Sequence, residues 1–380
     1  MKKFAIDLTW VRQGIVGGTE AYIRNLLDGI AQTGRTDFVA VLLLAQDNYD
    51  AFRKYGAYTC YRLIKCGTQA RSRWKRVIWQ NVRMGRLLRR LQTDICFEPV
   101  YGKPFAGGRG IRYYTTIHDL QALHYPQYFS TFRKIWMRIS WWNTVKTSEK
   151  IFAISDYVKQ EITKHYRMDP DRIIVIYNAV CLSSDRECSK DVLKQYGIKT
   201  KQYYYTVSSL LPHKNLRTLV MAMLVLKEKK QEFFFPLLVS GAGGKKEKKK
   251  LDALIREKKL EKDIIFTNYI SNEDRNELYR NCKAFLFASV YEGFGMPPVE
   301  ALVSGALVIT TDRASIREVT AGLALYVKDP YDPEEWAEMI SREEPLPQKA
   351  AVDRLPDRYQ AQKIAAQYIR ILVDGDYENE

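Results

Sequence analysis

Two glutamates, Glu292 and Glu300, stand with seven residues between them in the run YEGFGMPPVEAL (Tyr291–Leu302), directly after an apolar AFLFAS stretch. Gly293 and Gly295 flank Phe294, and two prolines then open a helix from Pro298 that ends near Gly305. Proline is tolerated in a helix's first turn because the amide it lacks has no partner there. The glycines allow a ligand close to the backbone, and amides at the helix start attract anions. Each such contact contributes about 0.3–1 kcal/mol at a surface, so several donors must act together to hold a diphosphate. With Glu292 before the turn and Glu300 in the first helical turn, the carboxylates would address neutral hydroxyls beside the phosphates. The alternative is that both only complement the helix dipole.

Lys214 is the strongest electrostatic candidate. It follows a strand and opens a helix in VSSLLPHKN (Val207–Asn215), where an ammonium can neutralise a departing diphosphate. Gly17-Gly18-Thr19-Glu20 separates the first strand from the first helix and, on its own, is more readily a plain turn than a phosphate loop. His118-Asp119 ends the YYTTIHD strand and, on its own, is as readily a structural pair as a site. Asp169-Pro170-Asp171 and Asp374-Gly375-Asp376 fit the three-residue metal pattern DxD, but so short a match is cheap, and no metal site is expected.

These residues need a frame that gathers strand ends and helix starts, and the hydrophobic pattern supplies one. Strands are expected at 4–11, 38–45, 59–64, 95–99, 113–118, 151–154 and 173–177, then at 203–208, 234–240, 264–268, 284–288 and 307–311. Helical spacing fills the gaps, as at Ile23, Leu26, Leu27 and Ile30, and later from Asn215, Lys245, Asn272, Pro298 and Pro333. Short apolar strands alternating with helices mean parallel sheets covered on both faces. The polar stretch Ser183–Asp191 reads as a junction between a first domain, 1–182, and a second, 183–355. The helical pattern Arg358–Val373, in a last segment 356–380, has no strand after it and is expected to pack back on the first domain. The fold class is α/β, two Rossmann-like doubly wound domains, whose ligands bind at the carboxyl ends of the strands.

The 380 residues are 46% hydrophobic and 27% charged, an ordinary globular balance for two domains. None of the six cysteines forms a CxxC pair, so reduced thiols are expected. Asp7 interrupts the apolar start before it could serve as a signal peptide, and no apolar run is long enough to span a bilayer. The expected location is the cytoplasm, at the inner face of the plasma membrane. The net charge of +16 attracts phosphates, nucleic acid or anionic lipid. Arg71–Leu91 carries eight basic residues and no acid, and Phe132–Lys146 adds four more among Trp136, Trp141 and Trp142. Five of the seven tryptophans fall in these two segments, which read either as a surface for an anionic membrane or as core helices with a solvated basic face. They match no nucleic-acid module, and no nucleic-acid partner is expected.

Glu292 and Glu300 within EGFGMPPVE resemble the paired-glutamate signature of retaining glycosyltransferases of the GT-B fold, especially family 4. Gly17-Gly18, His118-Asp119, ISDYVKQEI (Ile154–Ile162), VIYNAV (Val175–Val180) and VSSLLPHKN are similar to further family segments, in order, over roughly residues 3–342. The resemblance implies two domains facing each other across a cleft. It implies a nucleoside-diphosphate sugar as co-substrate, no cofactor and no required metal. Glu292 would lie beside the transferring sugar, Glu300 on the ribose, His118 near the sugar's hydroxyls, and Gly17-Gly18 and Lys214 on the phosphates. Family members commonly carry an arginine where this chain has Ser209 or His213, and neither reproduces a guanidinium fork. A protonated His213 would compensate, with diphosphate binding weakening as pH rises through its pKa.

The implied reaction is transfer of a hexose, with retention, to a hydroxyl of a saccharide acceptor. A lipid-linked acceptor in polysaccharide or glycan assembly is expected. The leaving phosphate oxygen would take the acceptor's proton while fixed donors stabilise the charge developing on phosphate. The competing readings are a GT-B epimerase or phosphorylase, and an NAD-dependent oxidoreductase. The last is disfavoured because no strand is followed by GxGxxG with an acidic residue about 20 positions on.

Overall fold

The computed structural model describes residues 1–14, 17–180, 191–229, 234–241, 243–268, 270–342 and 352–375. By contact, the chain divides into two compact units, Met1–Val180 with Tyr359–Glu380, and Cys181–Arg358. The expected junction at 183–190 lies outside the described residues.

In the first unit, β1 (Lys2–Asp7), β2 (Phe38–Leu44), β3 (Tyr61–Lys65), β4 (Ile95–Glu98), β5 (Arg112–Ile117), β6 (Lys150–Ala153) and β7 (Ile173–Val175) form one parallel sheet. Its order is β3-β2-β1-β4-β5-β6-β7. The second unit's parallel sheet holds β8 (Tyr204–Val207), β9 (Leu237–Ser240), β10 (Ile264–Asn268), β11 (Ala284–Phe287), β12 (Val308–Thr311) and β13 (Leu325–Val327), in the order β10-β9-β8-β11-β12-β13. Each sheet runs outward from a central strand, then returns and runs the other way. The reversal falls between β1 and β4 in one and between β8 and β11 in the other, and it is beyond the carboxyl ends at such a reversal that sheets of this kind bind ligands.

The intervening helices of the first unit are α1 (Gly18–Gln32), α2 (Arg73–Trp79), α3 (Gly85–Arg90), α4 (Gln121–His124), α5 (Thr131–Thr147) and α6 (Asp156–Tyr166). Those of the second are α7 (Asp191–Gln195), α8 (Leu216–Glu228), α9 (Lys245–Glu257), α10 (Asn272–Asn281), α11 (Met296–Val303), α12 (Ile316–Val319) and α13 (Pro333–Ser341). Helices Leu355–Tyr359 and Ala361–Ile369 follow. The second of these packs on α1, where the Tyr368 hydroxyl lies 2.8 Å from that of Tyr22, itself 3.0 Å from Thr116 Oγ1. All three groups are buried, so the helix carries its polar atoms into the core only because partners are waiting there.

Twelve strands lie where the pattern puts them. β13 was not anticipated: it is three residues, too short for a period to register. α11 begins at Met296, ahead of the expected Pro298, which moves Glu300 from the first helical turn into the second. Among the described residues, no helix is long and apolar enough to cross a membrane. Cys60, Cys66, Cys96 and Cys282 are free and buried, while Cys181 and Cys188 lie outside the described residues.

Candidate active site

In the second unit the segments after β8 and β11 meet at the reversal of the sheet. After β8 the chain crosses 208–211 and makes one tight turn, Pro212–Lys214, before α8. Val290 N donates to the His213 carbonyl at 2.9 Å, which ties this turn to the loop after β11. Lys214 Nζ is bonded to Glu292 Oε1, with the two side chains only 16% and 15% exposed. The ammonium also lies 5.9 Å from the centre of the Phe287 ring.

The glycine turn is fixed from below. Ser315 Oγ lies 3.0 Å from the Glu292 carbonyl and 2.9 Å from that of Phe294. Gly295 has φ 95°, a backbone conformation that side-chain-bearing residues rarely adopt, so the turn demands glycine there. Gly293 and Phe294 are buried beside it. Of the first three residues of α11, only Met296 carries an N–H, so the helix start alone offers few donors to an anion. Glu300 accepts from the Tyr279 hydroxyl at 3.0 Å and lies 3.4 Å from Arg275 Nε, both on α10. Ser209 is exposed, with its carbonyl accepting from Leu211 N at 2.8 Å.

His213 departs from expectation. Burial, then the charge of Lys214, lowers its pKa to about 4, so the imidazole is neutral at pH 7. It does not supply the missing arginine's charge, and Lys214 stands as the cation of this loop.

In the first unit Gly17 caps α1 at φ 58°, its carbonyl accepting from Glu20 N at 3.0 Å and Ala21 N at 3.1 Å. Gly18 opens the helix, and both glycines are exposed. His118 follows β5 and is buried, its Nε2 donating to the Pro99 carbonyl at 2.7 Å. A carbonyl only accepts, so the proton is on Nε2 and Nδ1 is left as an acceptor. Burial lowers this imidazole to about 4 as well. Asp119 accepts from the Tyr101 hydroxyl at 2.5 Å. Of the two DxD matches, Asp169 caps a turn through Asp171 N, Asp374 is paired with Arg35, and Asp376 lies outside the described residues.

Three features escaped the sequence reading. Asp7 and Glu98 end β1 and β4, side by side at the reversal of the first sheet. Asp7 accepts from Thr9 N, Thr9 Oγ1 and Gln80 Nε2. Burial, then the neighbouring Asp7, pushes the Glu98 carboxyl well above the usual range and favours its protonated form. Beside Glu98 a cavity of about 490 Å³ opens between α2, α5 and the loop after β4. Finally, His124, Glu161 and His165 bring their ligand atoms within 4.8 Å of one another, a set that could hold a cation. The only hint was the Glu161–His165 spacing on α6; His124 comes from a distant segment.

The model for Glycosyltransferase Family 4 matches residues 16–184, and that for Glycosyl transferases group 1 matches 189–351. The chain belongs to this glycosyltransferase family. The O-antigen chain mannosyltransferase RfbU of Salmonella typhimurium is 30% identical to this family member over 232 residues, 61% of each chain. The O-antigen chain mannosyltransferase B of Escherichia coli is 31% identical over 223 residues, 57% of each. The chain thus spans about three-fifths of the length of these curated relatives. Anabaena Alr3699/HepE, solved with UDP and glucose, superposes with a TM-score of 0.72 at 15% identity, over 98% of this chain and 100% of that one. The two parallel sheets are those of the GT-B fold.

Proposed function

We propose that this family member is a retaining, metal-independent hexosyltransferase that moves mannose from a nucleoside diphosphate to a hydroxyl of a saccharide acceptor in cell-surface polysaccharide assembly. The observation that carries the reading is the Lys214–Glu292 pair at the β8/β11 reversal, beside the glycine turn and Glu300. A diphosphate arriving there meets a largely buried ammonium held by a carboxylate. Lys214 exchanges the carboxylate for the phosphates and stabilises the charge that builds as the glycosidic bond breaks. Glu292, released, accepts a hydroxyl of the sugar, and Glu300 accepts a ribose hydroxyl while Tyr279 and Arg275 hold it. Within the first unit, neutral His118 keeps an acceptor at Nδ1 that suits a sugar hydroxyl, and the exposed Gly17–Gly18 turn offers amides that suit phosphate. The departing phosphate oxygen takes the acceptor's proton, so no strong side-chain base is needed.

Mannose is chosen because the two relatives described are named O-antigen chain mannosyltransferases. The acceptor is lipid-linked, and the basic, tryptophan-rich helices α2 and α5 lie against the anionic inner leaflet. In support, Trp74, Ile78, Phe132, Ile135 and Trp142 are more than half exposed on those helices, among arginines and lysines.

The test is thermal stabilisation by GDP, UDP, dTDP and NAD, followed by transfer assays with the corresponding mannose donors. A nucleotide at 100 times its Kd adds about 2.7 kcal/mol. Selective response to one nucleoside diphosphate, and a product whose anomeric configuration matches the donor's, would support the proposal. Response to NAD alone, donor turnover without acceptor, an inverted product, or activity abolished by EDTA would each overturn its corresponding part.

A further inference from the structure

The cavity of the first unit is lined by six cations, Arg12, Arg71, Arg73, Arg76, Lys103 and Arg133. Among the described residues, none of them forms an ion pair with a carboxylate, although arginines and lysines elsewhere do so, as at Arg24–Glu20, Arg35–Asp374 and Lys227–Asp263. The two acids on the wall do little to balance them: Glu98 favours its protonated form, and Asp119 is engaged by Tyr101. The cations also crowd one another. Arg73 is lowered by burial and then by Arg133; Arg76 is lowered by burial, which Asp7 offsets in part and Arg73 and Arg12 deepen. Arg76 and Lys103 are half-buried and the other four are exposed at the rim, so the cavity gathers like charges whose mutual repulsion an anion would relieve.

The same helices have a second face. On α2, Arg73 and Arg76 line the cavity while Trp74 and Ile78 are exposed; on α5, Arg133 and Trp136 line it while Phe132, Ile135, Ile139 and Trp142 are exposed. Trp74 and Phe132 lie 6.3 Å apart, so the two apolar faces join into one patch. An anion hole beside an apolar patch suits a ligand that is itself charged at one end and apolar at the other. We infer that this cavity binds the phosphate or diphosphate ester of a long apolar alcohol, the charged joint between sugar and lipid in the acceptor. The inference rests on the transferase reading for the word acceptor, but the cavity's chemistry stands on its own residues.

The experiment measures binding of farnesyl diphosphate, farnesol and inorganic pyrophosphate to the full chain by calorimetry. It is repeated with Arg73→Gln/Arg133→Gln, two exposed positions whose loss should spare the fold, and with Arg76→Gln. Farnesyl diphosphate is expected to bind at least tenfold more tightly than either of its parts, and the double variant to weaken it about 10–100-fold. Stabilisation by a nucleoside diphosphate, which reports on the second unit, is expected to be unchanged in the variants and shows that they are folded. Equal binding of farnesol and farnesyl diphosphate would overturn the inference, as would undiminished binding in the double variant. So would equal affinity for vesicles of anionic phospholipid lacking any prenyl diphosphate, since the cavity would then read only membrane charge. Failure of the nucleotide response in the wild type, with farnesyl diphosphate still bound, would defeat the transferase reading and leave the anion site in place.

Discussion

Lys214 and Glu292, 78 residues apart in the chain, are joined ammonium to carboxylate at the point where the second sheet reverses direction. Each holds the other's charge in a place with little water. On the proposed reading that arrangement keeps a cation for phosphate, and it sets the first prediction. Lys214→Ala is expected to lower kcat about 10²–10³-fold, the usual cost of removing one donor to developing charge. Steady-state kinetics with saturating donor checks this. A change confined to KM would show instead that Lys214 only assists ground-state binding.

Glu300 sits in the second turn of α11 with its carboxylate steadied by Tyr279 and Arg275. Glu300→Ala is expected to weaken nucleoside-diphosphate binding roughly 10–100-fold by calorimetry, from the loss of a hydrogen bond to a charged group. Tyr279→Phe should weaken it less, because the acceptor remains and only one of its supports is gone. Wild-type affinity in Glu300→Ala would sink the ribose assignment.

The two buried imidazoles make a prediction about pH. His118 and His213 titrate near 4 in the fold, below the ordinary histidine value of 6.5. Between those values the unfolded chain binds protons that the native one refuses, so stability rises with pH through this window. The contribution is complete above about 6.5 and falls away as the solution is acidified towards 4. Melting temperatures measured from pH 4.5 to 7.5 should show the slope, and His213→Asn should flatten it. Nucleotide affinity, by contrast, should not track an imidazole titration near 6.5, since His213 is neutral throughout.

The helix Ala361–Ile369 is predicted to be part of the first unit's stability. Tyr368→Phe removes one hydrogen bond from a buried pair of hydroxyls, yet Tyr22 keeps Thr116, so the expected cost is about 1 kcal/mol. Tyr368→Ala empties the space against Phe97 and Phe152 and should cost about 3–5 kcal/mol in urea denaturation.

Much of this was legible before any fold was known. Phe38–Leu44 is apolar along its whole length because a parallel strand covered on both faces has no polar side to show. The turn at 293–296 was readable because two glycines and two prolines leave few backbone alternatives. β13 was not, since three residues carry no period, and the start of α11 was misplaced because proline is tolerated anywhere in a first turn. The charge proposed for His213 failed for a different reason. Nothing in PHK says that His213 is buried against its neighbours while Lys214 reaches a carboxylate.

The order of residues by itself determined which segments become strands and helices, and with them the loops at the strands' carboxyl ends where sheets of this kind bind ligands. Those choices are local, made by the period of apolar side chains and by glycine and proline. Only the tertiary structure decided which loops meet: Lys214 with Glu292, Asp7 beside Glu98, and arginines from α2 and α5 around one cavity. Pairing, burial and the charge state that follows from them depend on neighbours distant in the chain, and those are chosen by how the sheets assemble.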